Sequence, residues 1–344
     1  MIPSFEEFCR WSYVLVDECW AEVAALDRRP GPAPRCSDPE LVTMAMVGEC
    51  KGWDEETVLL SEWAAHRDLF PHQPSRTRFN RRRRQVWGAI NQLRRALLAI
   101  LDVARDRRCV LDSLLVPVIR FHLVPKGARA AWQAHAASFG RVPSKSITIF
   151  GDKLYLLATR AGVILDVTLA PANAPELAVV VGLLEEHTDL EVLGDKAFVG
   201  APVQERLRTE NRVELRTLPR SNQRVQRPPE EARALTAARQ VIEVIETVNS
   251  QLAEQFGIEV NHAQSFWGLT ARLVTKLTAH TLCVTLNRRL GHPNVLHIEA
   301  IAFPTANEHT GLSCDSLYLP NHQRRGHYGN QENSHTGQGI SKEE

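Results

Sequence analysis

Residues 191–198 read E-V-L-G-D-K-A-F, and this stretch decides how the rest of the chain is interpreted. Val192 and Leu193 form a short apolar run that predicts a buried strand ending at Gly194. Asp195 follows, and a carboxylate at the end of a buried strand is costly unless it faces a cleft, a cation or a partner. In α/β sheets, ligands bind at the carboxyl ends of strands. The stretch therefore predicts an α/β domain with a functional acid at position 195.

Two further acids are candidates to join Asp195. Asp112 ends a second apolar run, and Glu246 lies in a long helical pattern at the rim of an apolar stripe that includes Ile245. Three carboxylates in one cleft repel one another and would raise one another's pKa values. They become compatible if they hold Mg²⁺, which takes hard oxygen ligands. Spacing alone leaves the alternative open that the strand-end acids cap helices and that the glutamate is solvated.

The composition bounds the class of protein. The chain has 344 residues, of which 44% are apolar, and a formal net charge of +1. This apolar content is enough for a sizeable core. The seven cysteines are scattered and form no C-x-x-C motif, which favours a reducing cytoplasm over a disulfide framework. No apolar run is long enough to span a bilayer, so we expect no membrane segment.

The positive charge is concentrated at one place. Six of the nine residues 76–84 are arginine, at positions 76, 78, 81, 82, 83 and 84. Apolar residues recur at helical spacing from Val86 to Ile100 and predict an amphipathic helix with the arginines at or before its first turns. We interpret residues 1–104 as a helical DNA-binding domain whose arginines contact phosphates. The alternative is a solvated, arginine-rich helix without a ligand.

From residue 105 the pattern changes to strands alternating with helices. Strands are predicted at Arg108–Asp112, Ser146–Phe150, Leu154–Thr159 and Val163–Leu169, the last two forming a hairpin. A further strand precedes Asp195, and long helices are expected up to residue 290. Residues 105–292 thus read as a mixed α/β domain, and the polar residues 293–344 as a flexible tail.

The motifs around the three acids resemble those of a known family. V-L-D-S at 110–113, L-G-D-K-A-F at 193–198 and I-E-T-V-N-S-Q-L-A-E-Q-F-G-I-E at 245–259 are similar to motifs of bacterial insertion-sequence DDE transposases. Within that group, the insertion sequence nine-eighty-two family is the most similar. The resemblance covers about residues 35–290, and the third motif is its most specific part.

The resemblance implies a fold and a function. The fold would be ribonuclease-H-like, a mixed sheet flanked by helices behind the all-helical N-terminal domain. Asp112, Asp195 and Glu246 would be the catalytic residues and also the ligands of two Mg²⁺ ions, for which Mn²⁺ can substitute. Lys153 and Lys196 would join the arginines in contacting DNA.

The expected function is that of a DNA transposase. It would bind the terminal inverted repeats of an insertion sequence, then cleave them and join them to target DNA. The partner is double-stranded DNA, with a homodimer pairing two element ends, in the bacterial cytoplasm at the nucleoid. Two alternatives stay open: a metal-dependent nuclease on the same scaffold, and a degenerate transposase that only binds DNA.

The motif also chooses between two glutamates. Relatives place a Phe-Gly pair eleven residues past the catalytic glutamate, and counting from Glu246 reaches Gly257 whereas counting from Glu243 does not. Glu243 is retained as a neighbouring alternative. Two departures from the family pattern are Ala253, where a basic residue is common, and Asp152, which could compete as a metal ligand.

Overall fold

The computed structural model describes residues 2, 4–23, 32–119, 132, 134–142, 147–194, 198, 200–217, 229–260 and 262–299. Of the predicted tail at 293–344, only residues 293–299 are among them. The division at 104/105 and 292/293 stays a prediction.

The first hundred residues are helical. Their described part forms the helices α1 Phe5–Val23, α2 Asp38–Cys50, α3 Glu56–Ala65, α4 Arg76–Gln85 and α5 Trp87–Ile100. The sequence S-D-P-E predicts the start of α2, because the Ser37 side chain can cap the helix while the Glu40 side chain accepts a hydrogen bond from the Ser37 amide. The Ser37 side chain accepts from the Glu40 amide, and the Ser37 amide donates to Glu40 Oε2 at 2.6 Å, which confirms this capping box.

The arginines lie before the amphipathic helix, which is one of the two positions predicted, and they form a helix of their own. α4 ends at Gln85, Val86 follows, and α5 begins at Trp87. Val86 still bonds to both helices: its amide donates to the Arg82 carbonyl, and its carbonyl accepts from the Ile90 amide. The predicted apolar face of α5 is buried at Ile90, but Ile100 is 40% exposed and does not belong to the core.

Six strands form one mixed sheet: β1 Arg108–Ile119, β2 Ser138–Val142, β3 Ile147–Thr159, β4 Ile164–Pro171, β5 Glu191–Gly194 and β6 Glu214–Thr217. The strand order is β2-β3-β1-β5-β6, and β4 also pairs with β3. β3 is antiparallel to β1, β2 and β4, whereas β5 and β6 run parallel to β1 and to each other. This topology, with helices on the sheet, confirms the mixed α/β fold and is consistent with a ribonuclease-H-like domain.

The strands also show where local sequence patterns were insufficient. The hairpin between β3 and β4 is confirmed, but the two strands predicted at Ser146–Phe150 and Leu154–Thr159 are a single strand, β3. β1 continues past Asp112 through Pro117 to Ile119, with an irregular register between those last two residues. β2 was not predicted at all.

Four further helices complete the described fold: α6 Glu176–Glu185, α7 Ala201–Glu210, α8 Pro229–Ser250 and α9 Phe266–Arg289. α8 continues into a π-helical turn, Gln251–Gln255, and the chain reverses at Gly257, whose φ is +57°. This left-handed conformation favours glycine, which confirms that Gly257 ends the helix. None of the described helices is long and apolar enough to cross a membrane.

The two faces of the sheet have separate cores. Side chains alternate between faces along a strand, so Val110, Leu114 and Val116 lie on one face of β1, and Cys109 and Leu111 lie on the other. The first face shares a continuous apolar cluster with helices α1–α5, α8 and α9. The second face packs with α6 and α7. Asp112 lies on the first face, toward α8.

Candidate active site

Asp112 occupies an interior position of β1, next to the end of β5. β1 pairs with β3 on one side, where Asp112 is opposite Leu156. On the other side, Leu111 pairs in parallel with Gly194, the last residue of β5. The strand that leads to position 195 therefore ends beside the residue that precedes Asp112. Asp195 itself lies outside the described residues, as does Lys196.

Gly194 has a packing role at this strand end. A Cβ added there would lie 2.8 Å from the Phe198 ring, which is buried in the second core. A larger residue at this position would thus displace the ring. The glycine in the L-G-D motif thus leaves room for the Phe198 ring against the end of β5.

Helix α8 lies against the first face of the sheet and contacts Asp112 directly. Ile245 and Val248 of α8 are buried in the core that covers this face. Asn249 Nδ2 donates to Asp112 Oδ2 at 2.6 Å, and the Ser113 amide donates to Asp112 Oδ1 at 2.8 Å. The two hydrogen bonds fix the orientation of the Asp112 carboxylate.

Sequence reasoning missed Asn249. Its position was available in the third motif, three residues after Glu246, and side chains three apart are neighbours on a helix. Asn249 Oδ1 is buried and has no hydrogen-bond partner among the described residues. Such an oxygen is usually explained by a missing water or ion. Together with the Asp112 carboxylate, it supplies the hard oxygen ligands that suit Mg²⁺, so these residues fit the expected metal.

Glu246 lies one turn before Asn249 and is exposed. It lines a cleft of about 960 Å³ between α8, the β3–β4 turn at Arg160 and the segment 293–297. The prediction that it sits at the rim of the buried stripe is confirmed, because Ile245 is 2% exposed. Among the described residues, no group of three or more His, Cys, Asp or Glu side chains is arranged to hold a metal. The structure therefore brings the helical turn of Glu246 to Asp112 without joining the two carboxylates.

The same helix separates the two glutamate candidates. Glu243 is also exposed and lines the same cleft. At 1.5 Å rise per residue, Glu246 lies about 4.5 Å along the axis from Asn249, and Glu243 lies about 9 Å from it. Glu246 is also closer in rotation to Asn249, by about 60° against 120°. Position along the helix favours Glu246 as the partner of Asp112.

Asp152 is buried on the same sheet face but is too far away to share an ion with Asp112. It pairs with Val116, four residues beyond Asp112 on β1, which places it about 13 Å along the strand. Burial raises its pKa to about 6. The idea that Asp152 competes for the ion at Asp112 is therefore wrong, and the reason is strand register, which the sequence alone does not give.

The six arginines of α4 fall into two groups. Arg82 and Arg83 are buried: Arg82 makes a double contact with Asp38, at 2.8 and 2.5 Å, and Arg83 pairs with Glu56 at 2.8 Å. Paired and buried guanidinium groups stabilise the helix contacts rather than face a ligand. The other four, at positions 76, 78, 81 and 84, are exposed. The DNA-binding prediction therefore depends on these four.

Lys153 is engaged within the protein. It lies on the sheet face opposite Asp112, and its Nζ is 2.5 Å from Glu176 Oε1 at the start of α6. This ion pair is 15% and 30% exposed at its two side chains.

Comparison with known proteins adds one match. The fold is consistent with a ribonuclease-H-like domain, and residues 132–266 match the family model described as "Transposase DDE domain". The matched segment includes positions 195 and 246 and begins after Asp112. No curated protein and no solved structure gave a significant match. The family match supports a transposase-type protein with a DDE domain, and with it roles in transposition and DNA recombination.

Proposed function

We propose that this protein is a DNA transposase of the insertion sequence nine-eighty-two type. It binds the terminal inverted repeats of its element, cleaves the DNA strands there and transfers them to target DNA. It acts in the bacterial cytoplasm on nucleoid DNA, as a homodimer that pairs two element ends. The observation that carries the proposal is the 2.6 Å hydrogen bond between Asn249 and Asp112, because it holds the helix of the third motif against the strand of the first.

The catalytic roles follow from the chemistry of the residues. Asp112, Asp195 and Glu246 would hold two Mg²⁺ ions, whose chemistry would be the activation of a water or a 3′-hydroxyl and the stabilisation of the leaving oxygen of the phosphodiester. Asn249 holds Asp112 in one orientation by donating to Oδ2, and its unpaired Oδ1 faces no competing protein donor. Glu246 is exposed and lines the cleft of about 960 Å³ beside α8, which DNA would enter.

DNA binding is assigned to the exposed arginines of α4. Guanidinium groups contact phosphates through paired hydrogen bonds and give affinity that falls with salt. On the buried side of the same helix, Arg82 forms an ion pair with Asp38 and Arg83 forms one with Glu56. In this arrangement the buried arginines set the position of α4 and the exposed ones contact the DNA backbone.

The test is substitution of Asp112 by Asn. With DNA that carries the inverted repeats flanking the gene, and with Mg²⁺, Asp112→Asn should abolish cleavage and strand transfer while binding to the same DNA is retained. The matched control is Asp102→Asn, which makes the same change at an exposed carboxylate and should leave activity intact. Normal cleavage by Asp112→Asn would refute the assignment.

The same assay separates the alternatives. A nuclease on this scaffold would hydrolyse the ends without joining them to target DNA. A degenerate transposase would bind the repeats but show no metal-dependent cleavage in the unsubstituted protein. Only cleavage followed by joining, lost together in Asp112→Asn, supports the transposase.

A further inference from the structure

A second cleft, of about 740 Å³, lies beside α4 and is strongly basic. Its walls are formed by one side of α4, by the chain before α2 and by the segment after α3. Four exposed arginines from three separate segments line it, at positions 35, 67, 78 and 81. We call these four residues and the space between them the arginine cleft.

No acidic residue in the described part of the chain is paired with the four arginines of the cleft. Within the described part of the chain, none of the four arginines has an ion pair or a hydrogen bond. Arg82, which also lines the cleft, is paired with Asp38. None of the described residues that line the cleft is Asp or Glu. Four unpaired guanidinium groups around one concavity repel one another and concentrate a positive potential there, so the cleft favours an anion.

The arrangement fits a chain of phosphates better than a single small anion. Arg78 and Arg81 come from α4, while Arg35 and Arg67 come from the other two segments, so the charges are distributed around the cleft. Arg84 extends the exposed row of α4 beyond Arg81, at the same three-residue spacing. A polyanion that follows this row would contact arginines inside and outside the cleft. Guanidinium groups suit it because they bind phosphate through two parallel hydrogen bonds.

We propose that the arginine cleft holds the phosphate backbone of DNA, with Arg35 and Arg67 contacting it in addition to Arg78 and Arg81. This inference rests on the proposed function and adds two residues from outside the arginine run of α4. It also specifies which side of α4 contacts DNA, namely the side that carries Arg78 and Arg81. Gln85 lies on the same wall and is available as a neutral donor to phosphate.

The experiment measures DNA affinity against salt for the full-length protein, with a fluorescent duplex oligonucleotide in EDTA so that no cleavage occurs. Each phosphate contact contributes about 0.9 to the slope of log K against log salt. The Arg35→Gln/Arg67→Gln double variant should therefore lose about 2 from this slope and bind about tenfold more weakly at moderate salt. Arg78→Gln/Arg81→Gln should show a similar loss.

The control is Arg10→Gln/Arg95→Gln, which removes the same charge from two arginines that are also exposed but do not line the cleft. It should leave the slope unchanged. Circular dichroism checks that every variant is folded, and exposed arginines without partners can be replaced at little cost in stability.

Three outcomes would overturn the inference. One is a slope for Arg35→Gln/Arg67→Gln equal to that of the control. Another is that inorganic phosphate stabilises the unsubstituted protein but not the double variant, while both proteins bind DNA equally well. This result would make the cleft a small-anion site. The third is a protein without DNA affinity at any salt concentration, which would refute the proposed function as well. The first two leave the catalytic assignment standing, so the two failures are distinguishable.

Discussion

Replacing Lys276 should destabilise the protein severely, although this residue contacts no proposed substrate. Lys276 lies on α9 and is 2% exposed. Its Nζ is 2.6 Å from Glu49 Oε2 on α2 and also donates to the Phe256 carbonyl, just after the π-helical turn. Glu49 is equally buried, and its other nearby cation is Arg83 of α4 at 3.6 Å. Lys276→Met would thus leave Glu49 buried with only the more distant Arg83.

The expected loss follows from this burial. Removing one member of a buried ion pair costs about 3–5 kcal/mol, because the remaining charge is not compensated. At about 1.4 kcal/mol per factor of ten, the ratio of folded to unfolded protein falls by a factor of roughly 10² to several times 10³. Domains are stable by only about 5–15 kcal/mol, so the loss is a large part of the total. Removing both charges, in Glu49→Gln/Lys276→Met, should recover about 2 kcal/mol or more.

Urea unfolding followed by circular dichroism measures both variants. The control is Arg206→Met, which breaks an equally short pair, Arg206–Glu185 at 2.5 Å, whose side chains are 49% and 41% exposed. It should cost less than about 1 kcal/mol. If Lys276→Met costs no more than Arg206→Met, or if the double variant is less stable than Lys276→Met, the reasoning about buried charge is refuted.

Two further predictions concern the sheet face that carries Asp112. Asn249→Asp should lower the melting temperature of the metal-free protein, because it places a second carboxylate at the 2.6 Å contact with Asp112. Mg²⁺ should then raise the melting temperature of this variant more than that of the unsubstituted protein. Equal shifts in a thermal unfolding assay would contradict this. Asp152→Asn should stabilise the protein at pH 7, because the folded-state pKa of about 6 exceeds the ordinary value of 3.8. The folded state then binds more protons than the unfolded state between about pH 4 and 6, and stability falls as the pH rises through that window. At 1.36 kcal/mol per pKa unit, Asp152→Asn should raise the free energy of unfolding at pH 7 by up to about 3 kcal/mol. This gain should vanish near pH 4. Urea unfolding at several pH values measures it, and a gain that does not change with pH would contradict the prediction.

Features that depend on neighbouring residues in the chain were predictable from the sequence. The capping box at Ser37 starts α2, the turn at Gly162 joins β3 to β4, and Gly257 ends the helical run that follows α8. In each case the signal and the structure it determines lie within a few residues of one another. The resemblance to DDE transposases extended this to the fold class, because it implied a mixed sheet flanked by helices, which local patterns do not give.

Features that depend on distant partners were not predictable. No proline marks the break at Val86, and α4 is tied to α2 by pairs such as Arg82–Asp38, 44 residues apart in the chain. The Asn249–Asp112 contact joins residues 137 apart. The register that separates Asp152 from Asp112 is likewise set by the pairing of β1 with β3. Composition and spacing carry no information about these distances.

One contact between the N-terminal helices and the sheet has a mechanical consequence. Arg94 of α5 is 3% exposed, and its Nη1 donates to the Ile164 carbonyl of β4 at 3.0 Å. α5 is therefore clamped to the strand next to β3, and α4 adjoins α5 at Val86. The folded chain would therefore fix the distance between Asp112 and a DNA duplex that is bound at α4. The number of base pairs between the gripped segment and the scissile phosphate would then be a constant of the protein, readable from the lengths of its cleavage products.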